Sequence, residues 1–300
     1  MENMKPKNIS RFTVALVCGL ALCVQSIRAQ VTLTGTNYVQ NFNSISNGLP
    51  AGWSVRTNAT LTTLGTAAAL NTNAVNWNNT SGQFNNYAST TNNAGAPASS
   101  TDTTQATFTN RCPGIRQLAS GTLFGNPGAA FVLQIANTVG LSNLVFSVDL
   151  NMLSVQTRST VWTIDYAVSN LPSSFTTLGT FPDPGTFGTT NETFSLGADA
   201  NNQTNNVWIR IVALSAATGS GSCDTFGIDN FILNYSTSSV SPAPIYIQLA
   251  GTNVVLTWSN SAFGLQSAPF AAGTFTNVTG ATSPFTNGID GPAKFYRLTQ

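Results

Sequence analysis

Aspartates carry most of the chemistry that is open to this 300-residue chain, because the chain contains no histidine. The absence of imidazole excludes a Ser-His-Asp triad, a Cys-His pair and a histidine-ligated zinc site. Asp149, Asp165 and Asp229 could supply the two carboxylates that flank the scissile bond in a glycosidase. Nothing in the sequence brings two of them to the roughly 5–9 Å that this reaction requires. A hydrolase is therefore the least favoured function, and we expect no catalytic residues.

Asp229 lies in the apolar stretch CDTFGIDNFILNY (Cys223–Tyr235), where an unpaired carboxylate is costly to bury. One interpretation is a calcium site, since calcium takes oxygen ligands from carboxylates, amides and backbone carbonyls. The four side chains that could form this site are Asp229, Asp224, Asn41 and Asn43. The alternative, which is the commoner one for a buried acid, is that Asp229 accepts hydrogen bonds from backbone amides or from Arg210 or Arg111.

Aromatic residues offer a second kind of site, because an exposed ring can serve as a flat platform for a sugar. Trp77, Phe84 and Tyr87 lie among asparagines and threonines in a long polar segment, residues 71–105. Loops of this length are usually functional or disordered, and these rings could either bind a ligand or pack in the core. The other tryptophans alternate with apolar residues and are predicted to be buried. They are Trp53, Trp162, Trp208 and Trp258.

Apolar residues recur at every second position, and no long segment shows the period of a helix. In NLVFSVDLNML the apolar residues of Phe146–Met152 fall on one face and Asp149 on the other. In NVWIRIVAL, Arg210 falls on the second face. In an unbroken strand Asp229 would share a face with Phe231. Such short strands, separated by polar turns, predict an all-β fold built as an antiparallel β-sandwich.

The sandwich is predicted to occupy residues 30–238. The stretch STSSVSPAP (Ser236–Pro244) at its end is uncharged and rich in serine and proline, which is typical of a linker, and we place the linker at residues 239–243. Residues 244–300 then form a small C-terminal β-module, in which two alternating runs joined by GTN predict a hairpin.

Residues 1–29 have the layout of a secretory signal peptide. Lys5, Lys7 and Arg11 precede the apolar run FTVALVCGLALCV, and SIRA ends at Ala29. The apolar run is too short to span a bilayer well, although an uncleaved anchor is the alternative. We therefore expect a secreted protein, either extracellular or at the outer cell surface.

Two cysteines, Cys112 and Cys223, follow the predicted signal peptide, whereas Cys18 and Cys23 lie within it. Two cysteines suffice for one bridge in an oxidising compartment, so we predict a Cys112–Cys223 disulfide. The alternative is a pair of unbonded, buried thiols.

Charge excludes one class of partner. Beyond residue 29 the chain has seven basic and nine acidic residues, a formal net charge of 7 − 9 = −2. No basic patch is present to neutralise phosphates, so nucleic acid is not an expected partner. No later stretch reaches the roughly 18 apolar residues of a membrane helix, so we expect no membrane span after signal cleavage.

Several phrases resemble secreted jelly-roll modules of environmental Gram-negative bacteria, which are lectin-like or carbohydrate-binding β-sandwiches. YVQNFNSISNGLPAGWSV matches their F…LPxGW opening, GQFNNYAS (Gly82–Ser89) their GxFxNYAS stretch, and GIDNFIL their closing IDN strand. The tail, with LTWS, FGLQSAP and a terminal FYRL, resembles a small C-terminal β-module of secreted proteins. The chain departs from the pattern at Cys112 and Pro113. The resemblance covers most of the chain and implies a jelly roll and an extracellular location, but no particular ligand.

Together these observations predict a secreted, non-catalytic protein. The first hypothesis is that it binds an extracellular polysaccharide or other glycan. The second is a structural or adhesive protein of the cell surface or matrix, whose C-terminal module serves attachment or sorting. An aspartate-dependent hydrolase comes third. No cofactor is expected apart from the calcium ion considered above.

Overall fold

The computed structural model describes residues 30–90, 100–118, 124–237, 244–289, 291 and 293–299. The predicted signal peptide, residues 1–29, and the predicted linker, residues 239–243, lie outside the described residues. Within the described ranges no helix is both long enough and apolar enough to cross a membrane.

The larger part of the structure, up to residue 237, is built almost entirely from strands. Its strands are β1 (Asn37–Gln40), β2 (Trp53–Thr57), β3 (Thr66–Ala68), β4 (Leu70–Ala74), β5 (Phe84–Ala88), β6 (Arg111–Arg116), β7 (Ala130–Ile135), β8 (Leu141–Ser154), β9 (Arg158–Ser159), β10 (Trp162–Val168), β11 (Thr176–Phe181), β12 (Gly188–Ser195), β13 (Val207–Val212), β14 (Thr218–Gly219) and β15 (Thr225–Thr237). Its helical turns are α1 (Asp102–Ala106) and the 3-10 turns Ile45–Asn47 and Ala198–Ala200.

Two sheets form a sandwich with jelly-roll topology. The seven-stranded sheet has the order β12-β8-β15-β6-β5-β4, with β1 beside β15, and the six-stranded sheet has the order β11-β10-β13-β7-β2-β3. Eight of these strands can be numbered one to eight in chain order: β6, β7, β8, β10, β11, β12, β13 and β15. With these numbers the seven-stranded sheet contains the order six-three-eight-one, and the six-stranded sheet contains the order five-four-seven-two. This is the strand order of a jelly roll, made of two Greek keys. All neighbouring strands are antiparallel except β4 and β5, and the predicted all-β jelly-roll sandwich is confirmed.

The core lies between the inner faces of the two sheets. Phe146 and Leu150 of β8 face Trp162 and Ile164 of β10, and all four side chains are at most 2% exposed. Trp162 stacks on Phe226 of the opposite sheet with ring centroids 4.2 Å apart. The period of two seen in NLVFSVDLNML therefore identified the buried face of β8 correctly.

The four tryptophans predicted to be buried are buried. Trp53 and Trp162 belong to the sandwich core. Trp208 packs in a smaller cluster with Val132 and Val212, and Trp258 belongs to the core of the small module.

Strand β15 changes its facing at Asn230. Ile228 and Phe231 both lie in the core, a spacing that a regular strand cannot produce. Asn230 adopts a left-handed φ of 46°, and the pairing with β8 shifts between Asp229 and Ile232, as in a β-bulge. The prediction that Asp229 shares a face with Phe231 is therefore wrong. Asp229 faces the outer side of the seven-stranded sheet, where it is fully buried.

Arg210 lies on the outer side of the six-stranded sheet, as predicted. Its Nε and Nη2 atoms donate to the two carboxylate oxygens of Asp165 at 2.8 and 2.7 Å. Its guanidinium carbon lies 3.2 Å from the centre of the Phe175 ring. Both charged side chains are buried, and each neutralises the other, because either charge buried alone would strongly destabilise the fold. Arg210 is therefore not the partner of Asp229.

The predicted Cys112–Cys223 disulfide is wrong, because both cysteines are free and buried. Arg116 pairs with Thr225, and Cys223 lies beyond that pair. Between Cys112 and Arg116 alone, extended chain spans about 13 Å, whereas a disulfide tolerates about 7 Å between Cα atoms. Burial raises the pKa of both thiols.

Two three-stranded sheets form the small module. Their orders are β16-β17-β20 and β19-β18-β21. The strands are β16 (Tyr246–Ala250), β17 (Asn253–Thr257), β18 (Gly264–Ala268), β19 (Thr276–Asn277), β20 (Phe285–Gly288) and β21 (Phe295–Thr299). Leu256, Trp258 and Leu265 are its buried centre. The predicted hairpin is present as β16 and β17, with Gly251 at a φ of 62° in the turn.

Replacing Arg210 with methionine is expected to destabilise the fold by about 3–5 kcal/mol, because Asp165 stays buried without its counter-charge. Urea unfolding followed by tryptophan fluorescence measures the loss. The control is the double variant with Arg210→Met and Asp165→Asn, which removes both charges and should recover a large part of the stability. An equal loss in the single and double variants would contradict the ion pair.

Candidate functional site

The chain between β4 and β5 covers part of the outer face of the seven-stranded sheet. It contributes Val75 and Trp77 to an apolar cluster that also contains Tyr87 of β5, Cys112 of β6 and Leu153 of β8. The Trp77 indole N–H donates to the carbonyl of Ala88 at 2.8 Å. The sheet is thus buried on both sides in this region.

The three aromatic residues predicted as a ligand platform are all inside the protein. Trp77, Phe84 and Tyr87 are 0%, 1% and 0% exposed. Trp77 and Tyr87 pack in the apolar cluster on the outer face of the sheet, and Phe84 meets Phe131 edge-on in the sandwich core with ring centroids 5.4 Å apart. A sugar platform needs an exposed ring face, so these rings have the packing role that was the alternative interpretation.

Two carboxylates stand side by side on the covered outer face, because Asp229 of β15 pairs with Asp149 of β8. Asp229 accepts a hydrogen bond from the Ser89 hydroxyl at 2.5 Å and from the Asn230 backbone amide at 2.8 Å. Asp149 accepts from the side-chain amides of Asn191 at 2.7 Å and Asn230 at 2.8 Å. Each of the four carboxylate oxygens therefore has a donor.

Burial raises the pKa of Asp229 to about 6, and the nearby charge of Asp149 adds to the increase. The hydrogen bonds from Ser89 and Asn230 lower the pKa but do not cancel the effect of burial. The predicted backbone-amide partner of Asp229 is confirmed in Asn230. The carboxyl group is close to neutral in mildly acidic solution, which reduces the cost of burying it.

The four residues predicted as calcium ligands do not come together. Asp224 and Asp229 are five residues apart along an extended run, about 16 Å, which is too far for both to bind one ion. The Asn41 side chain accepts from the Asn43 backbone amide at 3.2 Å, and the Asn43 side chain accepts from the Arg111 backbone amide at 2.9 Å. In the part of the chain that the structure describes, no group of three or more His, Cys, Asp or Glu residues could hold a metal ion.

A groove of about 460 Å³ opens between β4, the end of α1 and the 3-10 turn Ile45–Asn47. Its polar lining residues are Asn43, Ser46, Thr72, Asn73, Asn86, Thr109 and Arg111. Phe108, which is half-buried, adds an apolar wall. We call this feature the amide groove.

Strand alternation explains why polar groups line this groove. Asn86 lies two residues after Phe84 in β5, and Arg111 lies four residues before Ile115 in β6, so each pair shares a face of its strand. Phe84 and Ile115 belong to the sandwich core. Asn86 and Arg111 continue that face beyond the core, where both remain buried as the floor of the amide groove.

Neutral oxygens alone hold the Arg111 guanidinium in place. Its Nε donates to the Asn86 side-chain oxygen at 2.7 Å, and its Nη2 donates to the Asn86 carbonyl at 2.8 Å. Its Nη1 donates to the carbonyls of Gln105 at 2.6 Å and Phe108 at 3.5 Å. Burial lowers the pKa of Arg111. The cation is therefore fixed in position, and no carboxylate among the described residues is bonded to it, so it is not the partner of Asp229.

Asparagine side chains also join β4 to β5 beside the groove. The Asn86 amide donates to the Thr72 carbonyl at 2.8 Å, and the Asn71 amide donates to the Asn85 side chain at 3.0 Å. Sequence reasoning did not select Asn73 or Asn86 as site residues. The available signal was the Asn85-Asn86 pair within GQFNNYAS, where two amides occupy a strand that is buried along its whole length.

Comparisons with known proteins found no matching family model and no matching curated protein. Among solved structures, the K1 cleaved adhesin domain of Lys-gingipain from Porphyromonas gingivalis W83 is 12% identical, covers 67% of this chain and 98% of its own, and has a TM-score of 0.36. The C-terminal family 22 carbohydrate binding module of Clostridium thermocellum Xyn10B is 11% identical, covers 69% and 97%, and has a TM-score of 0.34. A Stig cyclase from Fischerella sp. TAU is 15% identical, covers 69% and 92%, and has a TM-score of 0.35. Likenesses at this level identify no family, so function has to be argued from the site.

Replacing Asp229 with asparagine should change how stability depends on pH. The pKa of Asp229 is about 6 in the folded protein against an ordinary value of 3.8, so the folded state holds the proton more tightly. The free energy of unfolding of the unsubstituted protein should therefore fall as pH rises from about 4 to about 6, by up to about 3 kcal/mol for this group.

Urea unfolding at a series of pH values measures this effect as the difference between the two proteins, in which the other titrating groups cancel. The asparagine variant should gain relative stability as pH rises through this window. A difference that is the same at every pH would contradict the burial of an ionising Asp229.

Proposed function

We propose that this protein is a secreted, non-catalytic β-sandwich protein that binds an extracellular glycan in the amide groove. The observation that carries the proposal is the concentration of side-chain amides and hydroxyls, with one half-buried aromatic residue, around a groove with a fixed floor.

The lining chemistry suits sugar hydroxyls. An asparagine side chain offers two N–H donors and an acceptor oxygen, and serine and threonine hydroxyls act in both roles. Asn43, Ser46, Asn73 and Thr109 are exposed at the rim, so their side chains are accessible to a ligand. Phe108 supplies apolar contact for the C–H faces of a sugar ring. The groove volume of about 460 Å³ is in the range of about 300–1,000 Å³ that is typical of small-ligand sites.

The floor of the groove is organised before any ligand arrives. Four hydrogen bonds fix the Arg111 guanidinium, and Asn86 is bonded both to Arg111 and to the Thr72 carbonyl. A site whose groups are already ordered loses less conformational entropy on binding. The ordered floor therefore supports ligand binding at this surface, which is weakly charged and can form few other strong contacts with a ligand.

Two observations support a binding role over catalysis. None of the described residues that line the amide groove is acidic. Asp149 and Asp229 lie side by side, but all four of their oxygens accept hydrogen bonds from the protein, and Asp229 is fully buried. Glycoside hydrolysis requires two carboxyl groups that reach the substrate.

The structural or adhesive alternative rests on a different surface. Strand β16 is exposed along its whole length, and Tyr246, Ile247 and Leu249 are 63%, 66% and 68% exposed. Apolar side chains on such a strand favour contact with another surface. We propose attachment through the small module as the second candidate function.

Substitution of Asn73 by tryptophan tests the first function, because Asn73 is exposed and a large side chain at this position would fill the groove. Affinity electrophoresis through gels that contain different polysaccharides should show retardation of the unsubstituted protein on at least one glycan. The Asn73→Trp variant should lose most of that retardation.

The matched control is Asn205→Trp, at an exposed asparagine that precedes β13 and whose side chain accepts from Asn170 at 3.2 Å. This variant should be retarded like the unsubstituted protein. Absence of retardation on every glycan, or equal retardation of the Asn73→Trp variant, would overturn the assignment of the groove. In that case, attachment through β16 would be the function to test next.

A further inference from the structure

We propose that the amide groove selects glycans that carry an oxyanion, either the carboxylate of a uronic acid or a sulfate ester, through the guanidinium of Arg111. This inference rests on the proposed function, because it names the class of glycan that the same groove would bind.

The first argument is that no carboxylate in the described part of the chain pairs with the charge of Arg111. Its four hydrogen bonds go to the Asn86 side chain and to the carbonyls of Asn86, Gln105 and Phe108, all of which are uncharged. Arg210 provides an internal comparison, since its guanidinium is bonded to both oxygens of Asp165. Both arginines are buried, at 5% and 0% exposure. The fold therefore pairs one buried arginine with a carboxylate and leaves the other with neutral partners.

The second argument is the position of that charge. Arg111 is itself a lining residue of the groove, and the other polar lining residues are amides and hydroxyls. Two aspartates that could neutralise this charge bond to other groups. Asp229 accepts from Ser89 and Asn230, and Asp102 accepts from the backbone and side-chain amides of Asn76. A charge in a partly desolvated groove acts more strongly than one in water, because less solvent screens it.

The third argument concerns geometry. A guanidinium has five N–H donors in a planar fork, and the protein supplies four acceptors. Within the described ranges the Nη2 atom has one acceptor, the Asn86 carbonyl, which leaves the second N–H of Nη2 for a ligand. Carboxylate and sulfate oxygens are strong acceptors for this group. A neutral sugar hydroxyl would form a weaker bond.

General attraction of polyanions would not explain such a preference. The chain beyond residue 29 has a formal net charge of 7 − 9 = −2. A preference for acidic glycans would therefore have to come from a local site, against the overall charge. A comparison of anionic with neutral glycans therefore tests the groove and not the overall charge of the protein.

Two matched pairs of polymers test the proposal with the complete protein. Polygalacturonate is compared with its methyl ester, and dextran sulfate with dextran, so that only the anionic group differs within each pair. Affinity for the anionic member should exceed that for its neutral counterpart by about tenfold, as expected for one charged hydrogen bond. Added salt should reduce the preference. The pair that shows the larger ratio identifies carboxylate or sulfate as the recognised group.

Substitutions at Asn73 locate the preference without disturbing the buried floor. Asn73→Ala and Asn73→Asp both remove the amide, but only aspartate adds a negative charge at the rim. Asn73→Asp should lower the ratio of anionic to neutral affinity several-fold relative to Asn73→Ala. Arg111→Gln should abolish the preference, so that the anionic and the neutral polymer bind with equal affinity. Circular dichroism and the melting temperature show whether that variant is folded. If it is not, the comparison at Asn73 decides.

The outcomes separate this proposal from the one it rests on. One outcome is that both members of each pair bind with equal affinity and that Asn73→Trp loses this binding. That outcome would overturn the anionic preference and leave glycan binding in the groove intact. A preference that is the same in Asn73→Asp and Asn73→Ala would place the anion elsewhere and overturn the role of Arg111. Failure to bind any of the four polymers would overturn the anionic preference. Only failure on a broad glycan panel would overturn the proposed function as well.

Discussion

The hydrogen bond between Asp229 and Ser89 links the central strand of the seven-stranded sheet to the end of β5, on the outer face of that sheet. The bulge at Asn230 creates the need for this bond, because it directs Asp229 away from the core while the flanking apolar side chains stay inside. A fully buried carboxylate without a donor would destabilise the fold. Ser89, at 2.5 Å, supplies a donor from a residue 140 positions away in the chain. This bond is thus a long-range contact on which the covered face depends.

The amide groove follows from the same arrangement. Ser89 directly follows β5, so the bond to Asp229 anchors the strand that carries Asn86. Asn86 in turn positions Arg111, and Arg111 binds the carbonyls of Gln105 and Phe108 near the end of α1. The floor of the groove and the contact of Asp229 are therefore connected through β5. The residues involved come from three strands of one sheet, β5, β6 and β15, and from the short helix α1 with the residues that follow it.

The sequence predicted the inner faces of the sandwich because a period of two reports burial directly. The core positions of β8, the outward position of Arg210 and the hairpin of the small module were all visible in this way. The facing of Asp229 was not, since one residue with a left-handed φ reverses the alternation. Burial of Trp77 also depends on distant chain, because Leu153 of β8 completes its cluster. The disulfide prediction failed because compartment and cysteine number contain no information about strand register.

The anchoring role of Ser89 is tested most directly by hydrogen exchange in the Ser89→Ala variant. Removing the hydroxyl leaves Asp229 without one of its donors but leaves the sandwich core unchanged. Mass spectrometry should show faster amide exchange, by about tenfold, in peptides from β4 to β6. Exchange in β10 and β13 of the other sheet should stay as it is in the unsubstituted protein. Unchanged exchange from β4 to β6 would contradict the account.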